Sequence, residues 1–304
     1  MHTLVVSSAN LNLPYKRAFL EGSSGHEDFL NQVGYDGFEM HPLRSRLAAE
    51  ILAGKRAALD LVTSLHQSFS GSTLRGLARE ALPPQPIKPR QRQVAFAAML
   101  PSLSRSLAHL QLYQQRKGEP LRAVLYPNEQ QPPSRETIDY RSLAGVFAER
   151  LWQPTAEVLQ QLNVLHSSTT VTLDGMVRAM PKMGFDKLCI DTFHWVARRN
   201  GHVMPPWQEA LPFLASRSFI SEVHFGPARS DFNDDGTQLR MILKGQIART
   251  KAGKMLLTTA AHLPENQELY VVTELTHAAI TELGYQDYQG IHKEVVGAIR
   301  GLLA

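Results

Sequence analysis

The chain has 304 residues, 43% hydrophobic and 20% charged, a composition that excludes wholesale disorder and allows a large buried core. Its 32 Lys and Arg against 28 Asp and Glu leave a formal charge of +4, too small an excess to imply nucleic-acid binding and compatible with a small anionic ligand. The single cysteine, Cys189, excludes an intramolecular disulfide, and neither a signal peptide nor a long apolar run is read, so no membrane association and a cytoplasmic location are expected.

In chain order, the β-rich run Thr3–Ser8 opens the sequence and gives way to a loop containing Pro14. A helical stretch leads to Gly34-Tyr35-Asp36-Gly37-Phe38-Glu39-Met40-His41-Pro42, which reads as a turn and then a short strand. The alternation continues through Leu61–His66, a helical segment near residues 91 to 117, and Leu121–Tyr126. Pro83–Pro89 and Asn128–Pro133 are too rich in proline for a helix interior and read as loops or insertions. The runs Asp186–Asp191, Phe219–His224 and Leu269–Glu274 follow, each short, apolar and separated by helix-length sequence, as parallel strands covered on both faces should be. Gly145–Leu151 is the expected fifth strand. The pattern predicts an α/β fold with one (β/α)8 TIM barrel domain spanning residues 1–304, since such barrels run to about 250 residues before insertions.

A parallel barrel gathers its chemistry where the C-terminal ends of its strands meet. Glu39, His66, Asp191, His224 and Glu274 each end an apolar run or directly follow one, and Glu149 joins them if the fifth strand is placed correctly. Acids converging on one partly buried rim repel each other unless a cation neutralises them. Removing a proton from a carbon beside a carbonyl needs a carboxylate base and a means of stabilising the enediolate, which a divalent metal supplies. Oxygen ligands with one imidazole favour Mn²⁺, Mg²⁺ or Co²⁺, with Zn²⁺ also admissible. Cys189, in an apolar run, reads as a buried structural thiol.

The segment Asp191-Thr192-Phe193-His194-Trp195 resembles the Asp-Thr-x-His motif of the xylose-isomerase-like barrels, a family of sugar isomerases, epimerases, hydroxypyruvate isomerases and inosose dehydratases. Gly37–Met40, Leu65-His66-Gln67, Val223-His224 followed by Arg229, and Val272-Thr273-Glu274 match the family's second, third, seventh and eighth strand ends in order. The resemblance implies one divalent metal held by Glu149, Asp191, His224 and Glu274, with Glu149 and Glu274 as the proton-transferring pair. It further implies that His194 and Arg229 hold substrate oxygens, with Glu39 and His66 among the substrate contacts. Trp195 reads either as a wall over a sugar ring or as core.

The expected function is metal-dependent isomerisation or epimerisation of a sugar-like keto or hydroxy substrate, with dehydration of a polyol ketone as the alternative within the same family. An abasic-site endonuclease-like hydrolase fits less well, because Tyr126 stands where a ligand histidine would be expected and Arg229-Ser230-Asp231 lacks the Asp-x-His pair. A non-catalytic binding barrel is the reading from another class. The expected partner is a small molecule, and a homo-oligomer is left open. Arg198 and Arg199 suit an anionic substrate or a solvated helix start, and Arg240, Lys244, Arg249, Lys251 and Lys254 suit an anion-binding face or a solvated helix.

Overall fold

In a computed structural model, residues 1–8, 23–41, 46–68, 108–118, 121–126, 156–162, 187–192, 195, 206–226, 236–275, 280–281 and 283–304 are described. Eight parallel strands close into a barrel in sequence order: β1 (His2–Ser7), β2 (Gly37–Met40), β3 (Val62–Ser68), β4 (Leu121–Tyr126), β5 (Ala156–Leu162), β6 (Lys187–Asp191), β7 (Ile220–Phe225) and β8 (Leu269–Thr273). Hydrogen bonding between β1 and β8 closes the ring. Seven strands lie where the apolar runs place them. The fifth does not: it is Ala156–Leu162, not residues 145–151. Both segments mix apolar and polar residues without a clear period, so local pattern could not rank them, and only closure against β4 and β6 decides.

Helices α1 (Ser23–Val33), α2 (Arg46–Leu52), α3 (Trp207–Ala215), α4 (Thr237–Leu243), α5 (Lys251–His262) and α6 (Tyr288–Leu303) are among those that cover the sheet. In α6, Tyr288, Ile291, His292, Val295, Val296 and Ile299 are buried, the three-and-four spacing of a helix with one face on the core. The Asp287 carboxylate caps its first turn by accepting from the Gly290 amide at 2.8 Å. Thr250 caps α5 in the same way, through Gly253. No described helix is long and apolar enough to cross a membrane.

Alternation along the strands divides the sheet into two faces. Phe38, Met40, Leu65, Leu188, Ile190, Val223, Phe225 and Val271 belong to the main hydrophobic cluster, shared with helix residues such as Leu47, Leu211, Leu256 and Val295. Full burial of each large apolar side chain contributes about 1.5–3 kcal/mol. Their sequence neighbours Glu39, His66, Cys189, Asp191, Glu222 and His224 are also buried, yet only Cys189 among them is apolar, and it packs with Val124 in a separate small cluster. These residues face the interior of the barrel.

Two register shifts set that interior face. The β2–β3 pairing steps from Phe38 with Val62 to Glu39 with Ser64, which leaves Thr63 as an extra residue. The β6–β7 pairing steps from Leu188 with Ile220 to Cys189 with Glu222, which leaves Ser221 as the extra one. In a strand of period two, Val62 and Ser64, or Ile220 and Glu222, would share a face. The bulges keep Val62 and Ile220 in the outer cluster while turning Ser64, Glu222 and the residues beyond them inward. Gly37 makes room for the first bulge, since a Cβ there would lie 2.4 Å from Thr63 Cγ2 and 3.0 Å from the Leu61 carbonyl.

Candidate metal centre

Asp191 ends β6, His224 is the penultimate residue of β7, and Glu274 directly follows β8, so three adjacent strands deliver three ligand-type side chains to one end of the barrel. Asp191 pairs in register with His224, and the Glu274 amide donates to the Phe225 carbonyl at 3.0 Å. The Thr192 hydroxyl donates to the His224 carbonyl at 3.1 Å and ties the end of β6 to that of β7. One ligand atom from each of Asp191, His224 and Glu274 lies within 4.8 Å of the others, and all three residues are buried. His224 Nδ1 lies 3.4 Å from Glu274 Oε1. Two buried carboxylates beside one imidazole make a donor set suited to a hard divalent cation, whose charge would offset theirs.

Beneath this trio a second layer of polar groups fills the barrel. His224 Nε2 lies 3.0 Å from Glu222 Oε1, with which it is hydrogen-bonded, and 3.0 Å from Glu39 Oε2. The other Glu39 oxygen is 3.2 Å from His41 Nε2, which is itself 2.9 Å from the Ser7 hydroxyl. The Ser8 hydroxyl accepts from the His41 amide at 3.0 Å. The His66 ring stacks on His41 at 4.6 Å and is tilted against His224 at 5.3 Å. Contacts between β2 and β7, or β3 and β7, join strands that are not neighbours and therefore run through the barrel interior.

Burial and neighbouring charge compete for the protonation of this layer. Burial would raise Glu39, but the charge of His224 and hydrogen bonds from His224 and His41 carry it well below the usual carboxylate range. Glu222 moves the other way, raised by burial and by the charge of Glu39. Burial lowers His66 to about 3, outweighing Glu39, and keeps the ring neutral. Burial would also lower His224, but Cys189, Glu39 and the hydrogen bond with Glu222 raise it well above its ordinary value. The Cys189 thiol is fully buried and pushed upward by that burial, which keeps it protonated, as a structural thiol should be.

The opposite end of the barrel is closed differently. The Arg122 guanidinium lies over the Tyr270 ring. The Tyr270 hydroxyl donates to Glu268 Oε2 at 2.7 Å, and Thr3 donates to Glu268 Oε1. Charge is neutralised there within the chain.

Of the residues singled out from the sequence, Glu39, His66, Asp191, His224 and Glu274 are brought together. Trp195 is buried and belongs to the hydrophobic cluster. Glu149, His194 and Arg229 lie outside the described residues, as do Arg198 and Arg199, and residue 149 is not part of β5. Arg240, Lys244, Arg249, Lys251 and Lys254 are exposed. Glu222 and His41 were not singled out. Their signal was a repeated Glu-x-His, Glu39-Met40-His41 and Glu222-Val223-His224, which a strand's period of two places on one face.

The fold is that of the xylose-isomerase-like TIM barrels. The probable 3-DHS dehydratase AsbF of Bacillus anthracis, involved in petrobactin synthesis, superposes with a TM-score of 0.56 at 11% identity, covering 98% of each chain. A xylose isomerase domain protein of Alicyclobacillus acidocaldarius superposes at 0.54 with 13% identity over 100% of this chain and 98% of that one. A xylose isomerase domain-containing protein of Salmonella typhimurium gives 0.51 with 11% identity, over 99% and 96% of the two chains. No family model and no curated protein sequence matches the chain.

Proposed function

We propose that this chain is a divalent-metal-dependent isomerase or epimerase of a sugar-like keto or hydroxy substrate. The observation that carries the reading is the approach of Asp191, His224 and Glu274, from three consecutive strands, to within 4.8 Å of one another at one end of the barrel. Asp191 and Glu274 would each contribute a carboxylate oxygen to a metal and His224 the nitrogen facing Glu274. When bound, the cation would polarise the substrate carbonyl and offset the charge left by proton removal. Glu274, directly after β8 at the end of the barrel where the three ligand-type side chains meet, would take the proton from the carbon beside that carbonyl. Glu149 is proposed as its partner in proton return and as a fourth ligand on the resemblance alone. His66, His194 and Arg229 are proposed substrate contacts on the same ground, and Arg229 would suit an anionic substrate group; Trp195, buried in the hydrophobic cluster, takes the core reading, and Glu39, wholly buried, supports His224 instead.

A panel of keto sugars and small hydroxy-keto acids, assayed with purified protein before and after chelation, tests the reading. Turnover lost on chelation and restored by Mn²⁺, Mg²⁺ or Co²⁺ is expected. Protein that retains no metal, with turnover indifferent to chelation, would refute it. Dehydration is the second reading, favoured by the shared fold with the Bacillus anthracis dehydratase. It differs in expelling a hydroxyl after the proton is removed, so the product's mass falls by one water.

A further inference from the structure

His224 is the residue on which three possible ligand groups converge: Glu39 with His66, Cys189 with Glu222, and Asp191 with Glu274 each place a ligand atom within 4.8 Å of it. One imidazole cannot serve all three. Its Nε2 side has two carboxylate oxygens at 3.0 Å, those of Glu222 and Glu39. A nitrogen placed between two carboxylate oxygens carries its hydrogen and donates it to them, because a lone pair there would face theirs. With Nε2 holding its hydrogen, Nδ1, on the side where Glu274 lies, is the nitrogen left to give up its proton to a cation. The tautomer is therefore chosen by the carboxylates beneath the ring.

We propose that Glu222 is a positioning residue: by accepting the hydrogen bond from His224 Nε2 it fixes the ring's tautomer and orientation, so that Nδ1 is the ligand atom of the Asp191, His224 and Glu274 site. Four features of the fold serve this arrangement. The bulge at Ser221 turns Glu222 and His224 inward together. The spacing of two along β7 brings the carboxylate beside the imidazole of its own strand, as the same spacing does for Glu39 and His41 on β2. Both Glu222 and His224 are wholly buried, so water does not compete for the hydrogen bond. Glu39 supports the same nitrogen from across the barrel, its own orientation fixed by His41 and Ser7.

The other two groups fail as ion sites on the same grounds. The first sets Glu39 against Nε2, the nitrogen already bonded to Glu222, and the second would use the Glu222 carboxylate that makes that bond together with the wholly buried sulfur of Cys189. Among the described residues Glu222 Oε2 has no hydrogen-bond partner. Glu222 is wholly buried and its bonded oxygen is the one beside His224, so its role passes through His224 and not through substrate.

The inference rests on the proposed metal site, and its test separates the two. Zn²⁺, which is diamagnetic and binds imidazole, is titrated by calorimetry into the full chain, the E222L and E222Q variants, and H224Q. Glu222→Leu should weaken Zn²⁺ binding about 10- to 100-fold, the usual effect of removing a carboxylate that supports a ligand histidine. Glu222→Gln, which keeps an acceptor oxygen, should weaken it less. In the ¹⁵N-histidine spectrum of the zinc-loaded protein, the signal absent from H224Q should show hydrogen on Nε2 and metal on Nδ1, and this pattern should be lost in E222L. Wild-type affinity and an unchanged His224 signal in a folded Glu222 variant would overturn the positioning role while leaving the metal site standing. Failure of the wild-type protein to bind Zn²⁺ would overturn the metal reading, and the proposal with it. If E222L does not fold, E222Q with the same two readouts decides.

Discussion

The two faces of the barrel sheet are made by alternate residues of the same short strands, yet they are built on opposite principles. The outer face of β7 is Val223 and Phe225, held by non-directional packing against the helical layer; its inner face is Glu222 and His224, held by a hydrogen bond of 3.0 Å and surrounding charge. Truncation on the packed face costs stability through the cavity it leaves, whereas on the polar face direction and partner decide what a side chain can hold. Residue parity thus separates what keeps the barrel folded from what equips it for chemistry, and two bulges hold that parity in register. Substitutions on the two faces should accordingly move different observables.

The largest effect is expected on the inner face. Glu274→Gln should lower turnover of any substrate identified in the panel by about 10²- to 10⁴-fold, the range for loss of a general base. Its thermal midpoint should move little, as judged by circular dichroism. Equal loss of folded protein and activity would erase the proposed separation.

On the outer face, Phe225→Ala should cost about 3–5 kcal/mol of stability in urea unfolding, through the cavity it leaves beside its packed neighbours. The fraction that remains folded should bind metal normally. Gly37→Ala probes the bulge itself: the added methyl must displace Thr63 or the Leu61 carbonyl, which at overpacked sites costs about 1–3 kcal/mol. Because Glu39, which lies against His224 Nε2, pairs just beyond that bulge, this variant alone among the three should disturb both stability and metal affinity.

The smallest effect concerns a buried histidine of the helical layer. His292 Nδ1 and the Tyr35 hydroxyl are 2.7 Å apart, and burial lowers this histidine to about 3. The unfolded chain takes up a proton near pH 6.5 that the folded chain refuses until about pH 3. Its contribution to stability is thus complete above pH 6.5 and is lost as pH falls toward 3. Urea midpoints measured across that interval should fall more steeply for the wild-type protein than for His292→Gln, and parallel slopes would count against the assignment.

Much of this was legible in the sequence, and the reason lies in the same two faces. Strands β6, β7 and β8 combine an apolar run with a terminal polar residue, so both strand and candidate ligand could be read at Asp191, His224 and Glu274. The fifth strand, Ala156–Leu162, carries Gln160 and Gln161 in place of an apolar run, and its position follows from pairing with β4 and β6, which is not local information. Glu222 escaped notice because one acid inside a strand looks like a solvent-facing residue until closure of the barrel turns it inward. The bulge that does so leaves no mark in composition, since Ser221 is an ordinary strand neighbour.

The central claim is that the inner face holds one cation at Asp191, His224 and Glu274. Crystals grown with Mn²⁺ and measured for anomalous scattering test it most directly. A single peak is expected about 2.0–2.6 Å from a carboxylate oxygen of Asp191 and of Glu274, on the Nδ1 side of His224. A peak between Glu39, His66 and His224 Nε2, or no peak at full Mn²⁺ loading, would contradict it.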